Sequence, residues 1–93
     1  MIKIPLTSAV DQHHNLKLNN LDIFLRVMYL NRVFCFLIDI KTKDFELLGT
    51  KIVLGDTIFN KEIVTRCVCS YQSGANPYAF DDFELNRAEL FLL

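Results

Sequence analysis

The sequence predicts an all-β fold, a small antiparallel β-barrel or sandwich of about six to seven short strands built on a meander. Three observations carry that prediction. In Leu21–Tyr29 the residues Leu21, Ile23, Leu25, Val27 and Tyr29 alternate with Asp22, Phe24, Arg26 and Met28, the period of two of a strand with one better-buried face. Val33–Ile40 is apolar on both faces, with Phe34, Phe36, Ile38 and Ile40 on one and Val33, Cys35 and Leu37 on the other. Such a strand needs cover on both sides, from its own chain or from another. Polar turn signals stand between the apolar runs, at Asn19-Asn20, Leu30-Asn31-Arg32 and Lys41-Thr42-Lys43-Asp44.

Taken in order, Ile2–Leu6 is a short apolar segment containing Pro5, which has no N–H for a ladder. It reads as an edge strand or an arm over residues 1–8. Ser8–Asn15 is polar and reads mostly as loop, with a short strand over Asn15–Leu18. Asn19-Asn20 then links directly into the Leu21–Tyr29 strand, because asparagine tolerates left-handed backbone. After Val33–Ile40 and its polar turn, Phe45–Leu48 returns and Gly49 punctuates it. Thr50–Phe59 reads as a short strand crossing to the other side of the sheet and ending in a loop near Asp56. Ile63–Tyr71 alternates loosely and reads as a further strand, with Ile63, Cys67, Cys69 and Tyr71 on one face. Residues 72–82, QSGANPYAFDD, form a long loop. Phe83–Leu93 contains helix formers, but a closing strand over Arg87–Leu93 is preferred, because short-stranded sheets must hide their edges.

At 93 residues the chain fits a single domain over 1–93. Its hydrophobic share of 52% lies slightly above the usual soluble value. The excess fits either an efficient core or apolar surface kept for a partner. A net charge of −1 argues against electrostatically driven nucleic-acid binding and leaves little self-repulsion between copies. Charges interrupt every apolar run before it reaches bilayer length. The opening MIKIPLTSAVDQ lacks the apolar core and cleavage site of a signal peptide. The expected compartment is the cytoplasm of whichever cell makes the protein.

Reactive constellations are few. Three cysteines, Cys35, Cys67 and Cys69, do not describe a disulfide framework. A zinc site from Cys67, Cys69 and His13 or His14 would need a fourth ligand that the sequence does not offer. Buried thiols acting as small hydrophobes account for all three. Asp81, Asp82 and Glu84 could serve acid–base chemistry or bind a cation, but they lack a calcium-loop spacing and a neighbouring nucleophile. An exposed acidic turn is the plainer expectation. The three glycines are too scattered for a phosphate loop. The eight Phe and three Tyr are not interleaved with Lys and Arg as a stacking platform would require. No catalytic residue, cofactor or metal is assigned.

The order of features resembles the small baseplate plug proteins of contractile-tailed bacteriophages, known from cyanophage baseplates. The resemblance runs from Ile4-Pro5-Leu6 through Gln12, Leu16–Leu18, the Asn19-Asn20 hairpin and the Leu21–Tyr29 strand to Asn31 and Leu37-Ile38-Asp39-Ile40. It continues with Gly49, Ile52-Val53-Leu54-Gly55-Asp56, Pro77, Asp81–Leu85 and the apolar finish Ala88–Leu93. The departures are Phe34 and Phe36, where the family has Trp and Tyr, and Phe91 in place of a Tyr near the C-terminus. The resemblance implies a non-enzymatic virion protein of the tail baseplate, plugging or joining the tail tube and the central hub or spike near the tail axis. It further implies a homo-oligomer of on the order of three or six copies, without nucleic acid or a membrane span. Expected assembly contacts are Ile2, Ile4, Pro5, Leu6, Phe34, Phe36, Tyr78, Phe80 and Phe91. The alternatives are a small phage-encoded intracellular module acting on a host protein through an exposed sheet edge, and a thiol- or metal-dependent enzyme or sensor on Cys67, Cys69 and a histidine.

Overall fold

Asn19 and Asn20 take left-handed backbone, with φ of 50° and 67°, the conformation of a two-residue type I′ hairpin. They fold β2 (Asp11–Leu18) onto β3 (Leu21–Leu30), with Leu18 opposite Leu21 and Asp11 opposite Met28. The loop expected over Ser8–Asn15 is therefore a strand from Asp11 onward. Its alternation was masked because two of the residues facing inward, Gln12 and His14, are polar. A computed structural model describes residues 1–93 and contains eight strands and no helix.

The meander continues through β4 (Cys35–Lys41) and β5 (Glu46–Lys51), giving a sheet of order β2-β3-β4-β5. Val33 and Phe34 are not part of β4, as the sequence had suggested. They complete the turn from Leu30, with Val33 N–H on Leu30 C=O at 3.3 Å and Phe34 at a φ of 51°. Gly49 does not end β5 but bulges it. Ile38 pairs with Thr50 and Ile40 with Leu47, so Leu48 and Gly49 together oppose Asp39. The Gly49 N–H donates to Asp39 Oδ1 at 2.6 Å.

The chain then changes sheet. Gly55 and Asp56, expected in a loop, begin β6 (Gly55–Asn60), which pairs with β7 (Ile63–Cys69). The C-terminal segment is strand and not helix, as β8 (Ala88–Leu92). It lies inside the sheet instead of closing it, between β7 and the two-residue β1 (Ile2–Lys3), so the second sheet has the order β1-β8-β7-β6. The two four-stranded antiparallel sheets form a sandwich rather than a closed barrel.

One cluster of 15 buried residues lies between the sheets. Ile23, Leu25 and Val27 of β3 and Phe36, Ile38 and Ile40 of β4 face Ile63 and Cys67 of β7 and Ala88, Leu90 and Leu92 of β8. Each fully buried aliphatic or Phe side chain stabilises the fold by about 1.5–3 kcal/mol over leaving it in water. Ile4 and Leu6 close one open side of the sandwich and Ile52 contributes where the chain changes sheet. Gln12 holds the crossing arm in place: its Nε2 donates to Thr7 C=O at 3.0 Å and Ala9 C=O at 3.2 Å, and its Oε1 accepts the Thr7 N–H at 2.9 Å.

The strand registers give the sandwich two unlike ends. One carries the tight turns at Asn19-Asn20, Lys41–Phe45 and Asn60–Glu62, with Leu18, Asn19 and Leu21 sharing a surface hollow with Glu62. The other carries the Leu30–Phe34 turn, the Ile52–Leu54 crossing and the long segment 70–87, which contains turns but no strand. Contacts from β3 and β4 to that long segment tie the two sheets together there, through Tyr29 Oη to Tyr78 C=O at 2.6 Å and the Phe36 and Phe83 rings at 4.8 Å.

Candidate assembly surface

Asp82 organises the long segment. Expected in an exposed acidic turn, it is instead fully buried. A lone buried carboxylate is costly, so it must be surrounded by donors. Oδ2 accepts the N–H groups of Tyr78 and Ala79, both at 2.8 Å. Oδ1 accepts Arg87 Nε at 2.9 Å and the Tyr71 hydroxyl. The backbone joins in: Asp82 C=O accepts the N–H groups of Arg87 at 2.9 Å and Ala88 at 3.1 Å, while Asp82 N–H donates to Ala79 C=O at 3.0 Å. Asp81 stands beside it and takes Arg87 Nη2.

These bonds set the electrostatics. Burial alone would raise the Asp82 carboxyl, but the bonds from Tyr71, the Ala79 amide, Arg87 and the Tyr78 amide outweigh it and hold it below the usual aspartate value. Burial and then the Asp82 bond push the Tyr71 hydroxyl up, and the Asp82 bond raises the Arg87 guanidinium further. All three groups keep their ordinary charge at neutral pH. The arrangement fixes backbone.

What it fixes is an apolar surface. Tyr71 stacks on Tyr78 at 4.8 Å with a 28° interplanar angle, and Pro77 beside Tyr78 is fully buried. Asn76 Oδ1 receives Leu54 N–H at 2.8 Å, joining the sheet-crossing link to the segment. Around this frame Tyr78 is 46% exposed, Phe80 54% and Phe34 63%. Val33, Leu54, Leu85 and Val10, whose C=O accepts Tyr29 N–H at 2.8 Å, add further exposed apolar side chains at the same end. Exposed Phe and Tyr gathered on a rigid frame are the composition of an interface centre.

The expected contact residues divide. Ile4, Leu6 and Phe36 are committed to the chain's own core. Phe34, Tyr78 and Phe80 stand on the apolar end. Ile2, Pro5 and Phe91 lie on the β1–β8 side, Phe91 half-buried on the outer face opposite Arg66. Sequence reasoning missed Val10, Leu54 and above all Asp82. Nothing in the run Asp81-Asp82 singles out the second aspartate from the first.

Cys35 follows Phe34 and Cys69 ends β7, both at this same end of the sandwich. Cys35 and Cys67 are buried and Cys69 half-buried. Burial, reinforced by Cys69, pushes the Cys67 thiol up to about 12, so it stays protonated and weakly nucleophilic. His13 and His14 lie on β2, in the other sheet. No three His, Cys, Asp or Glu side chains are grouped so as to hold a metal ion. No helix is long and apolar enough to cross a membrane. Compared with known proteins, residues 1–93 match the family model described as cyanophage baseplate Pam3 plug gp18. No curated protein matches the chain.

Proposed function

The chain belongs to this cyanophage baseplate plug family, a baseplate structural role, and from that membership we propose that it plugs or joins the tail tube and the central hub or spike near the tail axis. It does so without catalysis, by presenting a rigid apolar end to a neighbouring baseplate protein. The observation that carries the proposal is the family match along the whole chain. The exposed Tyr78 and Phe80 on the Asp82-braced segment, with Phe34 exposed at the same end, support it, because a docking part must hold its aromatic anchors in place before the partner arrives.

The test is peptide mass spectrometry on gradient-purified particles, with copy number scaled to the tube protein. The expected result is about three or six copies per particle, the number a closed ring of that order would contain. Absence from particles together with abundance in infected-cell lysate would end this reading and favour a small intracellular module acting on a host protein.

A further inference from the structure

Antiparallel ladders leave each edge strand with alternate residues whose N–H and C=O face solvent. Leu93 N–H donates to Val64 C=O at 2.9 Å, so Val64 and Arg66 turn their backbone groups toward β8. Their partners on β6, Ile58 and Asp56, therefore turn theirs outward at the free edge. At the other end of the same sheet Ile4 N–H donates to Leu90 C=O at 2.8 Å, which leaves the N–H and C=O of Lys3 facing outward from β1.

The remaining edges are protected. β5 carries the Gly49 bulge, whose N–H is taken by Asp39, and β2 sets Asp11, His13 and Lys17 along its outer face, Asp11 held by Arg26 at 2.7 Å. β6 from Gly55 to Ile58 is regular, and Ile58 is 69% exposed.

We propose that β6 of one copy pairs antiparallel with β1 of a second copy, with Asp56 opposite Lys3, so that this sheet runs on from subunit to subunit. Successive strands of the sheet alternate in direction, so a second copy in the same orientation brings its β1 antiparallel to β6. Lys3 and Asp56 both belong to the outer face, in the row Lys3–Phe91–Arg66–Asp56. The neighbour's Lys3 would extend that row, leaving Asp56 between two cations, itself already bound to Arg66 Nε at 2.6 Å. In the same register Met1, 75% exposed, lies over Ile58. The Lys3 N–H meets Asp56 C=O, the Asp56 N–H meets Lys3 C=O, and the Ile58 N–H meets Met1 C=O. Pro5, which has no N–H, falls opposite Leu54, whose own N–H is already bound to Asn76, and the ladder ends there. Within one copy Lys3 Nζ donates only to the exposed, neutral Asn86 Oδ1 at 2.9 Å, a partner that a carboxylate would displace. The contact is heterologous, β6 to β1, and such contacts generate rings where the rotation closes. This deepens the baseplate reading by supplying the contact between copies.

The test is sedimentation of the full chain, its Lys3→Asp and Asp56→Lys variants and the exchanged double variant, with circular dichroism confirming that each folds. The wild type is expected to associate. Lys3→Asp sets like charges opposite each other and should weaken association by about tenfold or more. The double variant, with the charges exchanged, should recover most of it. A wild type that stays monomeric at its highest soluble concentration, a folded Lys3→Asp chain that associates normally, or an exchanged pair that recovers nothing would overturn the proposal. Multiple copies in particles alongside a Lys3→Asp variant that still assembles would overturn this contact alone. Absence from particles would instead overturn the baseplate reading.

Discussion

The two ends of the sandwich are closed by different physics. At the tight-turn end each hairpin satisfies itself locally. Asn60 Oδ1 accepts the N–H of Glu62 at 2.7 Å and of Ile63 at 2.9 Å, two and three residues ahead. Thr42 Oγ1 does the same for Asp44 at 3.3 Å and Phe45 at 3.2 Å. At the apolar end β7 and β8 are joined by no short turn, and one carboxylate, Asp82, draws in Tyr71 from 11 residues back and Arg87 from 5 ahead. Local closure yields a small polar end. Long-range closure yields a broad frame that holds aromatic side chains out of the core and in water. A protein that must dock gains from the second kind of end and needs only one of them.

Asp82→Ala should break the comparison most severely. Removing the carboxylate strands the Tyr78 and Ala79 amides and the Tyr71 hydroxyl and leaves Arg87 with Asp81 alone, and the buried donors left unpaired cost about 3 kcal/mol or more together. That is a large share of the roughly 5–15 kcal/mol that holds a domain together. Chemical denaturation gives the loss, and hydrogen exchange at Tyr78 and Ala79 should accelerate far more than at Glu62 and Ile63. The carboxyl also sets an acid limit. Its folded value lies below 3.8, the ordinary aspartate value, so its contribution is complete above about pH 4 and is lost as pH falls through the folded value. Stability of the wild type should fall in that acid window, and Asp82→Asn should flatten the fall. An Asp82→Asn curve that parallels the wild type would remove Asp82 as the organiser.

Asn60→Ala tests the other end and should cost less. The Glu62 amide loses a neutral acceptor in an exposed turn where water replaces it, and the Ile63 amide loses it in a part-buried position at the start of β7, so the loss is about 1 kcal/mol. Hydrogen exchange should quicken at Glu62 and Ile63 and stay unchanged at Tyr78 and Ala79. Faster exchange at both ends would mean that the ends are mechanically coupled and not independent closures.

The same contrast explains what was legible in the sequence. Asn19-Asn20 was readable because its partners are adjacent and its residue type matches the backbone it adopts. The faces of β3 were readable because Ile23, Leu25 and Val27 repeat with the period of the strand. β2 was half read, since inward-facing Gln12 and His14 satisfy hydrogen bonds instead of packing. Gly55 looked like a loop residue because a glycine opening a strand and a glycine ending one carry the same letter. Asp82 was beyond reach: its donors are spread from Tyr71 to Arg87, and a sequence states which residues are polar but not which of them meet. Of the expected contact residues, Ile4, Leu6 and Phe36 lie in the chain's own core, and an apolar residue facing a core and one facing a partner look alike until the layers are in place.

Phe34→Gly should give the smallest change in stability and the most informative one. Phe34 holds a φ of 51° while 63% exposed. A left-handed residue with a Cβ is strained, and a large ring left in water gains little from burial, so glycine should be neutral or stabilising by up to about 1 kcal/mol. The fold therefore does not account for this side chain. Asparagine, used at Asn19, Asn20 and Asn86 for the same conformation, would serve the turn at lower cost. A strained, exposed aromatic at the same end as the exposed Tyr78 and Phe80 is the pattern of a residue kept for contact. The expected outcome is a denaturation midpoint equal to or above that of the wild type, with reduced incorporation into particles when the variant replaces the wild type during infection. A Phe34→Gly chain that is more stable and is incorporated as well as the wild type would remove the apolar end as the docking surface, and the difference between the two ends would then concern folding alone.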